Sequence, residues 1–137
     1  MQEINIYKTA EVSKILPKLV ENIVMQGKKI YIYCDNPEQE KELDYLLWSY
    51  SQLSFIPHGT TFDIYPNEQI VLLGQDLHYQ SDAEILICAG KLNDLNSTVN
   101  KYEKILLFNQ ELSNKPINVV INIVEQDISG KWIKQKA

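Results

Sequence analysis

Lys28-Lys29-Ile30-Tyr31-Ile32-Tyr33-Cys34-Asp35-Asn36-Pro37 is the stretch that decides the fold. Its middle, Ile30 to Cys34, is an unbroken apolar run of β-branched and aromatic residues. Such a run reads as a strand buried on both faces. Asp35-Asn36-Pro37 follows at once, an N-cap signature with proline at the first helical position. A buried strand that runs straight into a helix is the repeating unit of a parallel α/β sheet.

The same grammar extends in both directions. Ile4-Asn5-Ile6-Tyr7 alternates and reads as a first strand. Val12, Ile15, Leu16, Leu19, Val20 and Ile23 recur at helical spacing and stop at Gly27. Pro17 interrupts them: either the helix starts near Ser13, with Pro17 in its tolerant first turn, or it is kinked. The helix opened by Pro37 runs to about Tyr50. A loop over 55–59 and a short edge segment over 61–64 come next. Further strands are expected over 69–73, 83–88 and 104–108, with a polar loop over 74–82 and a short helix over 92–101. Residues 117–124 fit two periods. Their β-branched content favours a strand, whereas their place between two sheet strands favours a helix, which is the expectation adopted. A final strand is expected over 128–134. The predicted fold is α/β: a single three-layer domain, 1–137, with a mostly parallel central sheet of about five or more strands and helices on both faces. It is Rossmann-like but without a phosphate loop.

Composition bounds the function. The 137 residues are 45% hydrophobic and 23% charged, as in ordinary globular proteins. No apolar run approaches the ~20 residues that span a bilayer, and the N-terminus lacks the pattern of a signal peptide, so a cytoplasmic protein is expected. Net charge is −5 and every basic side chain is lysine, with no arginine. Tight binding to naked DNA at ~150 mM salt is therefore not expected. Any anion must be held by ammonium groups and backbone N–H, without a guanidinium fork.

Catalytic signatures are sparse. The first strand-to-helix turn, Tyr7-Lys8-Thr9-Ala10-Glu11, has no glycine, and neither dinucleotide nor P-loop fingerprint occurs. Without glycines the backbone cannot approach a pyrophosphate closely, so no cofactor is expected. Cys34, Cys88, His58 and His78 show no metal-ligand spacing, and no metal is expected. Cys34 and Cys88 end two apolar runs and could approach each other at neighbouring strand ends. They support the alternative of a small cytosolic α/β enzyme, or a nucleotide-binding domain, using Cys34 or Cys88.

The helix after Pro37 carries two stripes. Leu43, Leu46, Leu47 and Tyr50 share one side, and Tyr45 and Trp48 lie roughly opposite, beside Lys41 and Glu38. Phe55-Ile56-Pro57 adds apolar surface close by in sequence. Either loop and Trp48 cover each other, or they form a protein-binding patch. His58, between Pro57 and Gly59, reads as a residue that ties down its own loop.

Leu43-Asp44-x-x-Leu47-Trp48 followed by Phe55-x-Pro57-His58-Gly59 resembles the chi subunit family of bacterial DNA polymerase III. The resemblance extends more weakly from Ile4 to Phe108. It implies a non-catalytic accessory subunit of the polymerase holoenzyme, part of the clamp-loader assembly, with two protein contacts. One is with the psi subunit, or a helicase partner, through Trp48, Phe55, Ile56, Pro57 and His58. The other is with the acidic, Phe-ended C-terminal tail of single-stranded DNA-binding protein. On this chain that implies Lys104, Phe108, Lys115, Lys131 and Trp132. The chain departs from the family where an Arg-rich, aromatic-bearing helix is expected, since 116–126 holds neither basic nor aromatic residues. Lys101, Lys104, Lys115 and Lys131 are the substitutes.

Overall fold

The computed structural model describes residues 2–49, 58–60, 70–79, 81–92, 101–110, 119–126 and 132–136. The described strands are β1 (Gln2–Lys8), β2 (Ile30–Tyr33), β3 (His58–Thr60), β4 (Val71–Gly74), β5 (Ile85–Cys88), β6 (Lys104–Phe108), β7 (Val119–Gln126) and β8 (Trp132–Lys136). The helices are α1 (Val12–Met25) and α2 (Pro37–Ser49). The strands form one sheet in the order β3-β4-β2-β5-β6-β1-β7-β8. Every neighbouring pair is parallel except β7 and β8. The parallel α/β architecture expected from the apolar runs is present. Among the described residues no helix is long and apolar enough to cross a membrane.

The central strands are buried throughout: β4 and β5 have no exposed position, and Tyr31, Ile32, Leu86 and Ile87 are fully enclosed. Both faces must therefore be apolar, which is why these segments lack polar alternation. On one face Leu16, Val20 and Ile23 of α1 and Leu43 and Leu47 of α2 pack on Ile30, Ile32, Val71, Leu73 and Ile87. On the other, Ile4, Ile6, Tyr31, Leu72, Leu86 and Leu107 pack with Tyr102, Leu77, Tyr79 and Leu92. Both described helices thus lie on one face. Residues 93–100 of the helix expected over 92–101 fall outside the described residues, as does the edge segment over 61–64.

Local signals explain the helix ends. Asn36 caps α2 by accepting the N–H of Gln39 at 2.8 Å, and the Gln39 side chain reaches back to the N–H of Asp35 at 2.7 Å. This is a capping box displaced by one residue. α1 ends in a Schellman arrangement: Gly27 has φ +79°, its N–H bonds to Val24 and that of Lys28 to Ile23. Helix α1 starts at Val12, so Pro17 is past the tolerant first turn and is buried. Its missing N–H frees the carbonyl of Ser13 within a continuous helix.

Two expectations change. The helix expected over 117–124 is strand β7, paired in parallel along the whole of β1 from Gln2↔Val119 to Lys8↔Glu125. The β-branched run prevails because the second edge of β1 offers seven residues of unpaired backbone. Residues 58 and 59, expected in a loop, belong to edge strand β3, which pairs with β4.

Candidate functional site

In open parallel α/β sheets, ligands bind outside the C-terminal ends of the strands. Here that edge is stitched by the chain's own side chains. The turn between β1 and α1 is held by Asn109, which follows β6 with φ +53°. Asn109 Nδ2 donates to the carbonyl of Thr9 at 2.8 Å, and its Oδ1 accepts the N–H of Thr9 at 2.9 Å. Thr9, almost fully buried, uses Oγ1 to accept the N–H of Glu11 at 2.9 Å. A glycine-rich loop would leave such backbone N–H groups for phosphate; here side-chain oxygens take them.

The turn after β5 is closed likewise. Both carboxylate oxygens of Asp35 accept the N–H of Lys91, at 3.1 and 3.2 Å. Gln110 donates to the carbonyl of Gly90 and accepts the N–H of Leu92, each at 2.8 Å. The Asp35 carboxylate thus sits against backbone amide in the way a bound anion would. It approaches so closely that a Cβ at Gly90 would overlap it. Gly90→Ala should therefore lower stability by about 1–3 kcal/mol, the range for overpacking. Thermal unfolding checks this; an unchanged midpoint would show that the Asp35 turn yields freely.

The two thiols do not form a pair. Cys34 packs with the cluster that includes α1 and α2, and Cys88 with the cluster on the opposite face. Burial pushes the Cys34 thiol from 9 up to about 12, with the Glu40 and Asp35 carboxylates adding to the shift. Burial also raises Cys88, above any ordinary thiol. A nucleophilic cysteine needs the reverse, a thiolate near neutral pH. At pH 8 the Cys34 thiolate is roughly a thousandfold scarcer than for a free thiol, so both cysteines should label only after unfolding. Rapid labelling of the native chain would contradict this. A group whose pKa is raised by folding supports the fold fully below its ordinary value and loses that support as pH climbs through the raised one. The Cys34 contribution to stability should be level up to about pH 9 and be lost between there and about pH 12, as alkaline unfolding would show.

Of the residues expected at the partner surface, Trp48 and His58 lie in described elements. Trp48 is in the last turn of α2 and His58 opens β3, which packs beside α2. Tyr45, its companion on the outer stripe, is 74% exposed, whereas Leu43 and Leu47 are buried, so the two-sided reading of α2 is correct there. Residues 55–57 lie outside the described residues.

The residues expected at the tail pocket are spread out. Lys104 and Phe108 stand at opposite ends of β6, about 13 Å apart along the strand. Lys104 Nζ binds Glu3 Oε2 at 3.0 Å. Phe108 is buried against Tyr7, ring centroids 5.6 Å apart. Trp132 opens β8 opposite Gln126, at the same edge of the sheet as Phe108. Lys115 and Lys131 lie outside the described residues. Lys101 donates to the carbonyl of Tyr79 at 3.0 Å. Near Lys104, Lys28 bridges Glu84 and Glu103, at 3.2 and 3.1 Å, and these carboxylates raise its pKa. Lys29 binds Asp82 at 2.8 Å. Lys28, Lys29 and Lys104, at the N-terminal edge of the sheet, are therefore matched by carboxylates.

The fold and its stitched edge define a mostly parallel α/β domain whose strand-end turns are held by its own Asp35, Asn109 and Gln110. The profile described as DNA polymerase III chi subunit, HolC, matches residues 1–124, from β1 through most of β7. A protein of Rickettsia prowazekii named probable DNA polymerase III subunit chi is 27% identical over 130 residues, covering 89% of this chain and 79% of that protein. A DNA polymerase III subunit chi of Pseudomonas aeruginosa is 42% identical over a local stretch of 42 residues, 31% of this chain and 30% of that protein. This chain belongs to the DNA polymerase III chi subunit family.

Proposed function

We propose that the chain is a non-catalytic adaptor of the replicative DNA polymerase III holoenzyme. The observation that carries this is the family match over residues 1–124. It supports a replication accessory role in association with DNA polymerase III. The stitched strand ends and the raised thiols favour a binding role over an enzymatic one. One contact is with psi or a helicase partner, through Trp48 of α2, His58 of β3 and the intervening Phe55, Ile56 and Pro57. The other is with the acidic tail of single-stranded DNA-binding protein, where Lys104, Phe108, Lys115, Lys131 and Trp132 are the candidates. Joining two modest contacts raises effective concentration without new chemistry, which is what an adaptor does.

The tail contact should be weak and salt-sensitive. Without arginine the terminal carboxylate meets only point charges. Lys104 already holds Glu3, so an acidic tail must displace a carboxylate there. Titrating a tail peptide into wild type, Lys104→Ala, Lys115→Ala and Lys131→Ala at two salt concentrations tests this. Each substitution is expected to weaken binding by about fivefold or less, as for exposed ion pairs. Tight binding indifferent to salt and to all three substitutions would place the pocket elsewhere. No binding at all would remove the tail contact from the proposal.

A further inference from the structure

We propose that the cavity between α2 and the C-terminal ends of β3 and β4 receives an arginine side chain of a protein partner. The cavity, about 380 Å³, is lined by Pro37, Glu40, Lys41, Asp44, Thr60 and Gln75. That volume is in the range of ligand sites. Glu40 decides its chemistry. The residue is only 7% exposed. Its Oε2 accepts from Gln75 Nε2 at 2.9 Å, and its Oε1 is buried with no hydrogen-bond partner among the described residues. A carboxylate oxygen left so is costly, and a cationic donor is what relieves it most. Asp44 lies one helical turn beyond Glu40 on the same stripe and lines the same cavity. Among the described residues of that lining, Lys41, on the exposed side of the helix, is the one positive side chain against the two carboxylates of Glu40 and Asp44.

Two carboxylates, with one amide already donating to Glu40, suit an organic cation that donates several hydrogen bonds. Guanidinium suits the cavity better than ammonium. It presents donors in a planar fork that can reach two carboxylates, and it is less strongly hydrated, so it enters a desolvated site more readily. This chain has no arginine, so the group must come from another protein. Charge complementarity points the same way, the chain being acidic at −5. The cavity is lined by the helix that carries Trp48, one turn beyond Asp44, and as a partner site it rests on the adaptor reading.

The test is a backbone-amide NMR titration of the intact chain with N-acetyl-arginine amide, N-acetyl-lysine amide and the neutral N-acetyl-citrulline amide. Arginine should give saturable shifts at Glu40, Lys41, Asp44, Thr60 and Gln75, and citrulline should give none. Glu40→Gln should weaken arginine binding by about tenfold or more, the loss expected for a charge-assisted bond. Asp44→Asn should weaken it by a smaller factor and decides the matter if Glu40→Gln does not fold. Shifts reproduced by citrulline, or affinity unchanged in the folded variants, would overturn the proposal. Lysine binding as tightly as arginine would overturn the choice of guanidinium. Arginine binding that fails while a Trp48-dependent partner is still captured would remove this cavity and leave the adaptor reading standing. The opposite pair of results would do the reverse.

Discussion

Tyr31→Ala is expected to destabilise the chain by about 3–5 kcal/mol, the range for removing a large buried aromatic side chain. Tyr31 is in β2, between β4 and β5, and is fully buried. Its ring stacks on Tyr79 with centroids 5.8 Å apart, and its hydroxyl donates to the carbonyl of Asp76 at 2.7 Å. One side chain thus fills a cluster that includes Leu72, Leu86 and Tyr102, and fastens the loop after β4. The alanine leaves both a cavity and an unpaired carbonyl. Tyr31→Phe keeps the ring and should lose only about 1 kcal/mol, the net worth of one hydrogen bond. Urea unfolding of both variants separates the two contributions. If Tyr31→Ala falls within about 1 kcal/mol of wild type, that face of the sheet is not closed around it.

The second large effect is on binding. Trp48→Ala and Phe55→Ala should each weaken capture by the polymerase assembly by about 2 kcal/mol or more, roughly thirtyfold, with the fold intact. Trp48 stands on the stripe of α2 that carries the exposed Tyr45 and not on the one that buries Leu43 and Leu47. An aromatic residue on an outward helical stripe is the kind that anchors an interface. Circular dichroism and thermal midpoints close to wild type are part of the expected result. Loss of folding in both variants would assign these residues to the domain's own packing.

Much of the fold could be read from the residues. The runs Ile30-Tyr31-Ile32 and Ile85-Leu86-Ile87 were legible as central strands because burial on both faces leaves no polar position. Asn36-Pro37 marked the start of α2 correctly, because capping chemistry is local. For β7 the two local signals conflict: Val119 to Val124 have β propensity, whereas a place between two sheet strands points to a helix. Pairing with β1 settles that segment, and pairing is not local. Asn109 was not legible because its role depends on a left-handed backbone and on Thr9, a hundred residues away. Glu40 reads in sequence as an ordinary charge near a helix start. It is buried only because α2 packs beside β3 and β4.

The central claim, that the chain acts through protein contact within the DNA polymerase III assembly, is tested most directly by affinity capture. Tagged wild type and tagged Trp48→Ala would be exposed to an extract of the organism's own cells, and the bound proteins identified by mass spectrometry. The adaptor reading predicts that wild type recovers DNA polymerase III subunits and that Trp48→Ala, equally folded, recovers far less. Wild type that recovers none of them, or a variant that recovers them just as well, would contradict it.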